Sequence, residues 1–201
     1  MNKISDPGLI LTGDRIFLRK LTLADCTEKY LSWLNDPEVN RFTQRAGRNF
    51  TREDMTQYVK EKNASPSDLL LGIFWKENGD HVGNILLSEI DFEHRYAEHS
   101  RLLGDTAYWG KRVGVEASRV LIHYAFSELG MHKILAGHLG SNHRAMASNR
   151  HLGFRLEGIL RDQVWLDGRF VDVWRFGLLR DEFYASFPEL LETQGRRLEL
   201  G

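Results

Sequence analysis

Residues 97–154 decide the architecture: Ala97-Glu-His-Ser-Arg-Leu-Leu103, a loop reaching Trp109-Gly-Lys-Arg-Val-Gly114, an apolar helical pattern to Leu129, Lys133 to His138, then Ser141-Asn142 and Leu152-Gly-Phe154. Ala117, Val120, Leu121, Tyr124, Ala125 and Leu129 recur at helical spacing, and Gly130 supplies the stop. Lys133 to His138 is a short strand. Asn142 can cap a short helix running to about His151, which Gly153 ends. A loop that feeds free amides into a helix start is an anion site, because the orphaned N–H groups and the helix dipole point the same way. Lys111 and Arg112 add positive charge there, and Val115 and Glu116 open the helix. The loop alone reads better as a solvated turn before a core helix, since glycine-plus-basic loops are common.

Working towards the N-terminus, His81 to Leu87 and Leu69 to Trp75 form a strand pair joined by Asn78-Gly-Asp80. Thr51-Arg-Glu-Asp54 has capping-box spacing, with Met55, Tyr58, Val59 and Lys62 on one helical stripe. Thr22-Leu-Ala-Asp25 repeats that spacing before a helix carrying Leu23, Cys26, Tyr30 and Leu34, and Ile16 to Leu21 precedes it as a strand. Towards the C-terminus, Phe154 to Leu166 and Phe170 to Leu179 form a hairpin, with Asp167-Gly168 as a type I′ turn. The order β-α-α-β-β-β-α-β-α-β-β predicts an α+β fold. One domain is expected over residues 14–185, with a lead-in over 1–13 and a charged tail over 186–201.

The 201 residues carry 27 Lys plus Arg against 28 Asp plus Glu, a net charge of −1, which removes the general signature of nucleic-acid or anionic-membrane binding. Apolar residues at 42% suit a globular core. The single cysteine, Cys26, excludes an internal disulfide and a cysteine zinc site, and its helical stripe makes it a buried thiol rather than a nucleophile. His94 with His99, and His138 with His143, lack a helical i,i+4 or acidic pattern, so no metal is expected. The first residues lack a signal-peptide run, and the longest apolar run, 69–75, cannot cross a bilayer. The expectation is a cytoplasmic protein.

Five stretches in order resemble the GCN5-related N-acetyltransferase (GNAT) superfamily, in its ribosomal-protein N-acetyltransferase-like branch. They are Ile16 to Asp25, Leu31 to Val39, His81 to Ile85, Trp109 to Ala117, and Asn142 to Phe154 with the closing Asp167-Gly168 and Asp172. The resemblance spans about residues 13–183. It implies a mixed, centrally splayed sheet with helices on both faces, and acetyl-CoA as co-substrate. The pyrophosphate would lie on the amides of Gly110, Lys111, Arg112, Val113, Gly114 and Val115, and the pantetheine along the backbone of Leu102 and Leu103 with Asn142 beside it. Two residues depart from the family pattern: Arg112 stands at a glycine position, and Asn149 at a place on the donor side where many relatives carry a proton-donating Tyr.

Acetyl transfer needs a neutral amine, and Lys-like amines are mostly protonated near pH 7. Glu98, on the strand flanking the thioester, is the expected proton acceptor, with an ion-pair partner as the alternative reading. By resemblance Trp33, Asn35 and Phe42 flank the acceptor, although Trp33 reads better as packing. Asp91, in the loop before the Glu98 strand, is a candidate substrate contact that reads better as a solvated loop residue. The expected reaction is direct attack of a primary amine on acetyl-CoA within a ternary complex. The acceptor is a protein N-terminus, an amino sugar or another small amine, and a homodimer is compatible with the reading. The rival from another class is a non-catalytic acyl-CoA sensor, motivated by Arg112 and Asn149.

Overall fold

The computed structural model describes residues 3–43, 47–166 and 168–191. Its frame is an eight-stranded mixed sheet in the order β1-β2-β3-β4-β5-β6-β8-β7. The strands are β1 (Ile10–Thr12), β2 (Ile16–Lys20), β3 (Leu69–Trp75), β4 (His81–Asp91), β5 (Tyr96–Leu103), β6 (Lys133–Leu139), β7 (Arg155–Leu166) and β8 (Arg169–Leu179). The helices are α1 (Glu28–Asn35), α2 (Pro37–Asn40), α3 (Arg52–Ala64), α4 (Val113–Ser127), α5 (His143–His151) and α6 (Arg180–Ser186).

β3 shows why helices cover both faces. Its side chains alternate across the sheet, yet nearly all are apolar, so each face needs a cover. Leu69, Leu71 and Ile73 join the core under α4, with Ala117 and Leu121. Leu70 and Phe74 join Tyr30, Trp33, Met55 and Val59 from α1 and α3 on the opposite face.

The sheet divides between β5 and β6. These strands run parallel and pair only at Tyr96–Lys133, Ala97–Ile134 and Glu98–Leu135. Beyond Glu98, β5 stays with β4 as far as Leu103 opposite Gly83, while β6 follows β8 as far as Leu139 opposite Val173. The result is a fork whose facing edges, residues 99–103 and 136–139, leave room for an inserted chain.

Four local expectations change. Thr22 and Asp25 close only a 3-10 turn, Leu23–Asp25, and α1 starts at Glu28 with Thr27 as its cap. Asp25 accepts from Thr22 N–H at 2.7 Å and also from Arg19, whose guanidinium donates to both carboxylate oxygens at 2.8 and 2.7 Å. Leu23, placed on the apolar stripe by spacing, is 52% exposed. α4 begins at Val113, so Val113 and Gly114 belong to the helix rather than the loop. The lead-in is ordered: β1 pairs with β2, and Ile4 is buried in the main core. In the last hairpin Gly168 has φ 77°, whereas Asp167 lies outside the described residues.

Candidate active site

The loop before α4 turns on two left-handed residues, Gly110 (φ 75°) and Arg112 (φ 59°). A glycine adopts this conformation freely, whereas a side chain costs roughly 1–2 kcal/mol there. Arg112 therefore takes the conformation a glycine would, and it stands as N-cap with no side-chain capping bond. The amides of Val115 and Glu116 donate to Arg112 O, but those of Val113 and Gly114 have no preceding helical carbonyl to reach. Val113 and Gly114 are buried as whole residues, whereas Gly110 before them is exposed. Lys111 and Arg112 are exposed, and the Lys111 ammonium lies 5.1 Å from the Tyr108 ring centroid.

Gly114 has a second role. A Cβ there would meet Arg101 Nε at 2.9 Å and Cδ at 3.3 Å, so the glycine makes room for the Arg101 side chain. Arg101 Nη1 donates to Ser118 Oγ (2.8 Å), which in turn donates to Gly114 O (2.8 Å). Burial lowers the guanidinium pKa to about 10.

The β5 edge is directional. Gly104 N–H donates to Val82 O, and antiparallel pairing alternates, so the Leu102 peptide groups face β4 while those of Leu103 face the fork. The Leu103 carbonyl already accepts from the Trp109 indole N–H at 2.8 Å. Leu102 offers its side chain to the α1–α3 core.

Across the fork, on the α4 side, lie His99, His138 and Asn149. Asn149 is fully buried, and its amide is 2.9 Å from His138 Nε2. Burial, followed by the Arg101 charge, lowers the His138 pKa to about 4 despite the Asn149 bond. His99 is only 3% exposed, neither ring nitrogen has a partner, and burial pushes its pKa well below 6.5. Asn149 Oδ1 is also without a partner. Asn142 caps α5, its oxygen accepting from Ala145 N–H at 3.1 Å.

The opposite face of the fork carries Glu98. Both of its oxygens accept from Arg175, at 2.8 and 3.0 Å. Gly137 lies beneath this pair, where a Cβ would meet Arg175 Nη1 at 2.8 Å. A carboxylate offers about four lone-pair sites, so the pair leaves roughly half of them open.

The residues expected on the acceptor side do not converge on this carboxylate. Trp33 is 5% exposed, packed against Tyr30 and His81, with Gly104 pressed on its ring. Its side chain is core, as its helix position suggested. Asn35 clamps Phe50, accepting from its N–H (2.7 Å) and donating to its carbonyl (2.9 Å). Phe42 is half-buried under the Arg41 guanidinium, 5.1 Å from its ring centroid. Asp91 caps the β4–β5 turn by accepting from His94 N–H at 2.7 Å. Cys26 is buried, and burial raises its thiol pKa, which suits a packed thiol rather than an acyl carrier.

Sequence reasoning missed Arg101, His138 and Arg175. Arg101 falls on the face shared by Ala97, where alternation predicts an apolar side chain; that break in pattern is its signal. Gly137 within a strand was the corresponding sign of a close approach by Arg175. Among the described residues no three His, Cys, Asp or Glu gather as a metal site, and no helix is long and apolar enough to cross a membrane.

Comparison with known proteins agrees with this geometry. The family profile of the acetyltransferase (GNAT) domain matches residues 15–155. An uncharacterised N-acetyltransferase, p20 of Bacillus licheniformis, is 32% identical over 177 residues, covering 86% of this chain and 97% of that protein. The spermidine N(1)-acetyltransferase of Escherichia coli K12 is 27% identical over 109 residues, 54% of this chain and 58% of its own. The fold matches the crystal structure of spermidine N-acetyltransferase from Vibrio cholerae in complex with CoA and spermine, with TM-score 0.76, 20% identity, and coverage of 84% and 98%. With the forked sheet and the amide-rich start of α4 in place, this chain belongs to the GNAT family and is an N-acetyltransferase.

Proposed function

We propose that the chain moves an acetyl group from acetyl-CoA to a primary amine by direct attack within a ternary complex. The observation that carries the reading is the fork itself, open beside the exposed glycine-marked loop of Gly110, Lys111 and Arg112 that leads into α4. The pyrophosphate lies on the amides of residues 110–114, because the Val115 amide is already spent on Arg112 O. The pantetheine enters the fork, where Leu103 presents its N–H and carbonyl as an edge strand would. Asn142 flanks the arm, its Nδ2 left available by the cap.

The amine approaches from the Glu98 face. Its nitrogen bonds to the thioester carbon, the C–S bond breaks, and the electron pair leaves on sulfur. Glu98 takes the amine proton, directly or through a water, on lone pairs that Arg175 leaves free. A backbone N–H of the fork-facing β5 edge near Leu103 is the donor for the developing oxyanion. The thiolate takes its proton from water, since Asn149 cannot supply one. The setting is the cytoplasm, and the amine belongs to a small molecule or a protein N-terminus.

Calorimetry with acetyl-CoA tests the donor, and CoA release with a panel of spermidine, peptides beginning with Ala or Ser, and nucleotide-linked amino sugars tests the acceptor. Binding with turnover of at least one amine is the expected outcome. Binding without turnover of any amine replaces the reading with an acyl-CoA sensor. Silence in calorimetry and thermal shift at millimolar coenzyme removes both.

A further inference from the structure

The α4 side of the fork gathers positive charge without an acid to balance it. Among the described residues no carboxylate pairs with Arg101, whose one hydrogen-bonded neighbour is the neutral Ser118. The acid nearest in sequence on α4, Glu116, is taken by Arg15: its oxygens accept from Arg15 N (2.7 Å) and Nε (3.0 Å). Arg101 also acts on its surroundings, because its charge contributes to holding both His99 and His138 neutral. Arg101 is half-buried, and a partly desolvated cation without an opposite charge is unfavourable.

Position narrows the ligand. The Arg101 side chain lies across the bare Cα of Gly114 and is pinned one turn further along at Ser118, beside the amides that α4 leaves free. Its other guanidinium nitrogens are absent from the buried atoms that lack a partner, so they reach open space, unlike the sealed nitrogens of His99. A planar fork of N–H donors next to free helix amides suits phosphate oxygens.

We propose that Arg101, reaching through the space left by Gly114, is a side-chain contact for a phosphate of the acyl donor and makes the enzyme select phosphorylated donors. This rests on the acetyl-CoA reading above.

The test compares acetyl-CoA with S-acetylpantetheine, which keeps the thioester and both amides but has no phosphate. Arg101→Met is expected to lower kcat/KM for acetyl-CoA by about 10–100-fold, the scale of a charge-assisted hydrogen bond. The same variant should leave kcat/KM for S-acetylpantetheine within about twofold. Arg101→Lys, which keeps the charge without the fork, should fall between. Ligand-free Arg101→Met should melt no lower than the parent, since it loses an unbalanced charge. Equal losses on both donors, or no loss on either, overturn the proposal. If Arg101→Met does not fold, Arg101→Lys decides by the same donor selectivity. Failure of the parent protein to use or bind acetyl-CoA is a separate result, and it falls on the acetyl-CoA reading instead.

Discussion

On the β2–β4 side of the fork the sheet is sealed. Ile16, Leu18, Leu69, Leu71 and Ile73 are fully buried, and charges at the margin are matched, as in the Arg19–Asp25 pair. On the fork side, polar groups are buried without partners, namely both nitrogens of His99 and the oxygen of Asn149, and the half-buried Arg101 has the neutral Ser118 as its partner rather than an acid. Unsatisfied buried groups cost stability, so the fork is where this fold gives up stability for a site, and the sealed half carries the surplus.

The largest effect expected from breaking this division is kinetic. Glu98→Gln keeps shape and hydrogen bonding but removes the proton acceptor, so the rate below the amine's pKa should fall about 10²–10⁴-fold, with coenzyme affinity nearly unchanged. Raising pH should recover part of the loss. A pH–rate profile matching the parent in height and shape would return Glu98 to an ion-pair role with Arg175.

Next is the sealed half. Leu71→Ala should cost about 2–5 kcal/mol by urea unfolding, because it opens a cavity that two helix-covered faces cannot close. Leu160→Ala, on the edge strand β7 where Leu160 is 44% exposed, should cost far less. Similar losses at both sites would erase the contrast.

His99→Leu acts in the opposite direction. It removes two orphaned nitrogens and should raise stability near pH 7 by about 1–3 kcal/mol. It should also alter the acid response. His138 titrates at about 4 when folded against a usual 6.5, and His99 and His81 are lowered too. Between pH 6.5 and 4 the unfolded chain therefore binds protons that the native chain does not, and stability falls as pH falls. His99→Leu should shallow that slope. Asp25 belongs to a lower window: desolvation pushes its carboxyl up, but bonds from Arg19 and Thr22 hold it at about 2, so its contribution is lost only as pH drops below 3.8. A slope unchanged by His99→Leu would show that His99 is not part of the acid response.

The smallest effect is expected at the hairpin. Trp165 is 62% exposed, stacked edge-on against Phe170, so Trp165→Ser should shift stability by no more than about 0.5 kcal/mol. A larger loss would show that β7 contributes to the sealed core.

The apolar run of β3, the helical stripe of α4 and the glycine-marked loop were legible in the chain because each is a local pattern with one physical reading. Asn142 as a cap was equally local. Thr22-Leu-Ala-Asp25 forms the capping box its spacing predicts, but it closes only a 3-10 turn, and α1 takes its cap from Thr27, because capping spacing marks a helical turn without fixing whether it propagates. Gly114 was legible as the end of the glycine-marked loop, but not as a seat for Arg101, because the approach comes from β5 rather than from the loop.

The sequence by itself determined the alternation of strands and helices, the turn residues, and the absence of disulfide or cysteine-metal chemistry, since these follow from periodicity, backbone preference and composition. Only the tertiary structure decided which charges meet. Glu98 lies 77 residues from Arg175, and Arg101 17 from Ser118, and their meeting depends on where β5 leaves β6. That parting point is set by packing between elements distant in sequence, and no window along the chain contains it.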